Sequence, residues 1–99
     1  MPEVLSMRER LCARVVRMVL DEGERLSNVS AWREALAIYE RGILIDPWVE
    51  ASYQGIMRCH YAMGDRVEAR RAYERCRAAL KSRFDLDPSR ETQALLRQD

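Results

Sequence analysis

Two stretches of this chain, 34 residues apart, are nearly one peptide. Glu34-Ala35 and Tyr39-Glu40-Arg41 recur as Glu68-Ala69 and Tyr73-Glu74-Arg75, so five of the eight positions from Glu34 to Arg41 are identical at that offset. A 34-residue period is the length of a helix-turn-helix repeat, and one such unit cannot bury its apolar face alone. It must stack on neighbours, and stacked units build a concave surface suited to other polypeptides. The echo therefore predicts an all-α chain and points to binding before catalysis.

Helix punctuation agrees with the period. Leu5, Cys12, Val15, Val16, Val19 and Leu26 lay an apolar stripe along a helix from about Pro2 to Ser27, with Gly23 as a weak or close-contact point. Ser30 suits the N-cap of a second helix carrying Trp32, Leu36, Tyr39, Ile43 and Leu44. Asp46-Pro47 ends that helix, and Asp46 is placed to cap a third, with Tyr53, Ile56, Met57 and Tyr61 on its inner face. After the Gly64-Asp65 turn, Asp65 and Glu68 resemble a capping box for a fourth helix bearing Ala69, Ala72, Tyr73, Cys76 and Leu80. Asp87-Pro88 opens a short fifth helix with Leu95 and Leu96. Pro47 and Pro88 are 41 residues apart, seven more than the repeat, so Lys81 to Asp87 holds an insertion of helical turns or a turn plus loop.

These residues resemble the tetratricopeptide (TPR) pattern. The resemblance implies about five helices in antiparallel pairs, forming a short right-handed solenoid. Its packing positions fall on Ala35, Tyr39 and Gly42 in one unit and on Ala69, Tyr73 and Cys76 in the next. Small residues there let helix axes approach to about 8–10 Å while the aromatic ring fills the space beside them. Ser30 stands where Gly64 has its turn glycine, and Met57 stands where the pattern has a small residue, which implies looser or shifted packing. By register, Arg17, Glu24, Gln54, Arg58 and Tyr61 project into the groove, where mixed charge and an aromatic suit a peptide or a neighbouring helix. Leu20, Glu24, Gln54 and Arg58 occupy the places where chaperone-type members clamp a carboxylate with Lys and Asn, so that clamp is not expected.

The C-terminal third carries a closer resemblance. Gly64 to Arg77, then Leu80, Phe84 and Leu86, and then Pro88-Ser89-Arg90-Glu91-Thr92 are similar in order to the bacterial transcriptional activator domain, over roughly Leu11 to Leu96. That family implies a dimerisation or protein-contact module in transcriptional regulation. DNA contact would come only through a domain not in this chain. The partner is then a second copy of the chain or the transcription machinery.

Other readings have less support. Arg66, Arg70, Arg77 and Lys81 share a face of the fourth helix and could meet phosphates or an acidic surface. A solvated face with local pairs, such as Glu74 with Arg70 or Arg71, explains them as well. A net charge of +1 adds no general attraction for nucleic acid or a membrane surface. Trp32 and Trp48 suit staples over helix junctions, or an interface if exposed. Cys59-His60 are neighbours about 100° apart on a helix and do not chelate well. Asp85 and Asp87 suit capping and turn formation. With one His, three Cys and no Gly-rich phosphate loop, no catalytic constellation, metal site or cofactor is expected.

Odd-numbered cysteines without CxxC spacing point to a reducing compartment. No apolar run approaches the roughly 18 residues of a membrane span. The expectation is a cytoplasmic chain of one domain over 1–99, part of a larger regulator or self-pairing. A stand-alone TPR adaptor acting outside transcription is the runner-up.

Overall fold

In the computed structural model residues 2–96 are described, with side chains from residue 6 onward. The helices are α1 (Pro2–Asn28), α2 (Trp32–Ile45), α3 (Glu50–Ala62), α4 (Arg66–Phe84) and α5 (Arg90–Leu95). Each of the first four packs on the next, α1 also touches α3, and α5 returns onto α3. The architecture is all-α and TPR-like, five helices packed in adjacent pairs. Gly42 and Tyr39 of α2 lie beside Val19 and Gly23 of α1, and beside Ser52 and Gly55 of α3, so both pairs are antiparallel.

The 34-residue echo is visible in the backbone. Ser30 and Gly64 both have positive φ, +59° and +79°. In each turn the residue after it donates its N–H five residues back, Ala31 to Leu26 O and Asp65 to His60 O, both at 2.8 Å. This is the left-handed closing turn of a helix. Ser30 therefore terminates α1 and does not cap α2, whose N-cap is Ala31, without a side-chain bond. A non-glycine residue there costs roughly 1 kcal/mol or more. Ser30→Gly should raise stability by about 0.5–1 kcal/mol, and Gly64→Ala should lower it by a similar amount, both read by denaturant melts.

Other ends also differ from expectation. Asp46 closes α2 and accepts from the Trp48 N–H (3.1 Å) in a tight turn, while Val49 is the N-cap of α3. Asp65 caps α4 as expected, accepting from Glu68 N–H at 3.0 Å. Ser89, not Asp87, caps α5, accepting from Thr92 N–H. The insertion is a further turn of α4, closed by Asp85 at φ +54°, followed by a loop to Ser89.

The core gathers Ala35, Tyr39, Ile56, Met57, Cys59, Ala72 and Leu95, with Tyr53, Cys76 and Leu80 forming a second cluster beside it. Leu96 packs against the first cluster. Leu44, expected inside, is 85% exposed. Cys12 is also exposed, because α2 ends before reaching it, and Val15 is exposed because it lies about 100° round the helix from buried Val16. Leu5 lies outside the residues whose side chains are described.

Candidate functional site

The site begins with Tyr39. Its ring enters a slot between two helices, made by glycines that carry no side chain. A Cβ at Gly23 of α1 would stand 2.5–2.9 Å from the ring, and one at Gly55 of α3 would stand 2.5 Å from Cε1. Neither separation is tolerable for carbon atoms, so the slot exists only because both residues are glycine. Gly42 allows a similar approach: its Cβ would lie 3.0 Å from both Ser52 Oγ and Val19 Cγ1. The second unit lacks this device. Met57, 34 residues after Gly23, is fully buried in the core, and Tyr73 is only half-buried.

Tyr39 and half-buried Trp32 line a hollow of about 500 Å³ between α1 and α3. Leu20 and Glu24 line it from α1, and Gln54 and Arg58 from α3. Of the groove residues read from the register, Glu24, Gln54 and Arg58 are brought together. Arg17 is exposed outside the hollow, two turns before Glu24, and Tyr61 packs half-buried against the core. Gln54 is partly committed, since its Nε2 donates to Thr92 Oγ1 at 2.9 Å. A cation and an anion on facing helices, with aromatic walls between, can hold a segment carrying both charges and an apolar side chain. Burial pushes the Tyr39 hydroxyl up, with the nearby Ser27 hydroxyl opposing the shift.

The Pro88-Ser89-Arg90-Glu91-Thr92 stretch fastens α5 to α3. The Glu50 carboxylate accepts from Ser89 N–H (3.1 Å), Ser89 Oγ (3.0 Å) and Thr92 Oγ1. Thr92 is completely buried. Sequence reasoning missed Glu50, because no local pattern marks a carboxylate that serves a segment 39 residues away. It also missed Gly55.

On α4, Arg66, Arg70, Arg77 and Lys81 are all exposed. Arg77 pairs with Glu74 (3.5 Å) and Lys81 with Asp85 (2.9 Å), while Arg71 pairs with Glu68 (2.8 Å). The local pairs are therefore real, but Glu74 does not serve Arg70 or Arg71. The repeated Tyr-Glu-Arg has a structural use: Arg75 grips Glu40 of the preceding unit through two bonds, 2.8 and 3.0 Å. Trp48, at the turn between α2 and α3, is partly exposed, and the Arg83 guanidinium of α4 stacks over its ring at 4.2 Å.

Cys59 and Cys76 are buried and Cys12 is exposed. Burial raises both inner thiols, that of Cys76 from the ordinary 9.0 to about 12, with Glu50 adding to the shift. Unfolded, these thiols ionise near 9; folded, Cys76 holds its proton to about 12. Stability should therefore be fully present below pH 9 and fall between 9 and 12 as Cys76 is forced to ionise, by up to about 1.4 kcal/mol per pH unit, with Cys59 acting in the same direction. At neutral pH an alkylating reagent should modify Cys12 promptly, and Cys59 and Cys76 only after unfolding.

Among the described residues no group of three or more His, Cys, Asp or Glu is placed to hold a metal ion, and no helix is long and apolar enough to cross a membrane. No curated protein and no solved structure gives a match to the chain. The family model of the bacterial transcriptional activator domain matches residues 1–98. With five sequentially packed helices and a C-terminal Ser-Thr box that docks the last of them, this chain belongs to the bacterial transcriptional activator domain family, a non-catalytic regulatory family.

Proposed function

We propose that the chain is a protein-interaction module of a bacterial transcriptional regulator, working in the cytoplasm and taking a partner segment in the hollow between α1 and α3. The observation that carries this reading is the placement of Glu24 on α1 and Arg58 on α3 around one hollow, beside an aromatic wall fixed by the Tyr39 slot. A wall locked between two glycines loses little freedom when a ligand arrives, which lowers the cost of binding. The partner is another protein of the transcription machinery or a second copy of the chain, and DNA is contacted through a different domain. Self-association by stacking through α5 has less support, because Leu95 and Leu96 pack inward.

Two-hybrid pairing in bacterial cells tests the reading, with the full chain set against itself and against each RNA polymerase subunit. The expected result is a pairing lost on Arg58→Glu or Glu24→Lys and kept on Arg70→Glu and Arg77→Glu. Absence of any pairing, or loss that follows the α4 changes, would refute it. The latter would favour contact through the basic face.

A further inference from the structure

α1 carries a second apolar face that the fold leaves uncovered. Gly42 lies against Val19 and Tyr39 against Gly23, so α2, ending at Ile45, stops about level with Val16. Val16 is buried, and every described side chain before it is exposed. The first half of α1 therefore projects past α2 by about 20 Å. On and beside this projection Met7, Leu11, Val15 and Met18 recur at spacings of four, four and three, with exposures of 56%, 55%, 40% and 64%. At 100° per residue they form one stripe, turned roughly 120° from the face that Val16 and Gly23 bury. It is not the rim of the core. Its spacing is that of a helix that docks on another helix.

Charge selects the occupant. Arg10 and Arg14 line the same hollow, about 310 Å³, as Met7 and Leu11. Arg8 and Arg17 are exposed on the same stretch, and Glu9 is on the opposite side of the helix from the stripe. None of these four arginines pairs with a carboxylate among the described residues. A second copy laid antiparallel on the stripe would set arginine against arginine, a costly juxtaposition at an interface. An acidic partner meets both the apolar stripe and its flanks.

We infer that the N-terminal half of α1 is a docking face for an acidic amphipathic helix of a partner protein, whose apolar anchors lie on Met7, Leu11, Val15 and Met18 and whose carboxylates meet Arg10 and Arg14. The face is separate from the hollow between α1 and α3, so the two readings stand or fall independently.

The test is fluorescence anisotropy on the full chain with two labelled helical peptides. Both carry leucines at the stripe's spacing; one is flanked by glutamates, the other by lysines. The glutamate peptide should bind at least about tenfold tighter, and more weakly as salt rises. Leu11→Asp should abolish binding with helix content unchanged by circular dichroism. Arg10→Glu with Arg14→Glu should reverse the preference, so that the lysine peptide binds the variant; this swap reads out the face without any loss of fold. Equal affinity for the two peptides, no binding of either, no reversal in the swapped variant, or a homodimer broken by Leu11→Asp would each overturn the assignment.

Discussion

Gly55→Ala should lower the unfolding free energy by about 2–3 kcal/mol, against the usual rule that alanine stabilises a helix. For a chain of this size that is a fall in Tm of roughly 10–20 °C. The added methyl meets the Tyr39 ring, and the ring cannot retreat because Gly23 backs it on the other side. Gly23→Ala should behave similarly. The decisive comparison is in a Tyr39→Ala background. Removing the ring costs about 3–5 kcal/mol by itself, but it empties the slot, and Gly55→Ala should then stabilise by up to about 1 kcal/mol through helix propensity. If Gly55→Ala costs the same in both backgrounds, the slot is not the reason for the glycine.

Glu50→Ala should release α5. The carboxylate is the common acceptor for the Ser89 N–H, the Ser89 hydroxyl and the Thr92 hydroxyl, and Thr92 is completely buried. Bonds to a charged acceptor contribute about 1.5–3 kcal/mol, and stranded donors add a cost of their own. A loss of about 2–3 kcal/mol is expected, with a local signature. Amide exchange across α5 should accelerate strongly, while protection in α2 and α3 changes far less. Uniform acceleration through all five helices would show that Glu50 supports the whole fold and is no clasp for α5.

How far the sequence carries can be judged from particular residues. The helices and their inner faces follow from period and punctuation, because burial imposes a spacing that the chain displays locally. Met57, Tyr53 and Cys76 are inside for that reason. Helix ends are less legible. Ser30 suits an N-cap by residue type, yet it sits in the left-handed turn that Gly64 adopts 34 residues later, where backbone geometry outweighs side-chain preference. Gly55 could not be read at all: a glycine inside a helix contradicts propensity until the ring lying against it is seen. In the candidate groove Glu24, Gln54 and Arg58 follow from register. Arg17 shares the face of Glu24 but lies two turns earlier, towards the projecting half of α1. Tyr61 packs half-buried against the core, as large rings do when apolar surface is near. Cys12 and Val15 fit the apolar period of α1 but lie where no second helix covers them.

Capture of a partner segment in the hollow between α1 and α3 can be watched directly. The direct measurement is the amide and Trp32 indole chemical-shift change of the labelled full chain as a partner found by two-hybrid pairing is added. The largest changes should fall on Leu20, Glu24, Trp32, Gln54 and Arg58, with Arg70 and Arg77 little affected. Changes confined to α4, or to Met7 through Met18 with the hollow silent, would contradict it.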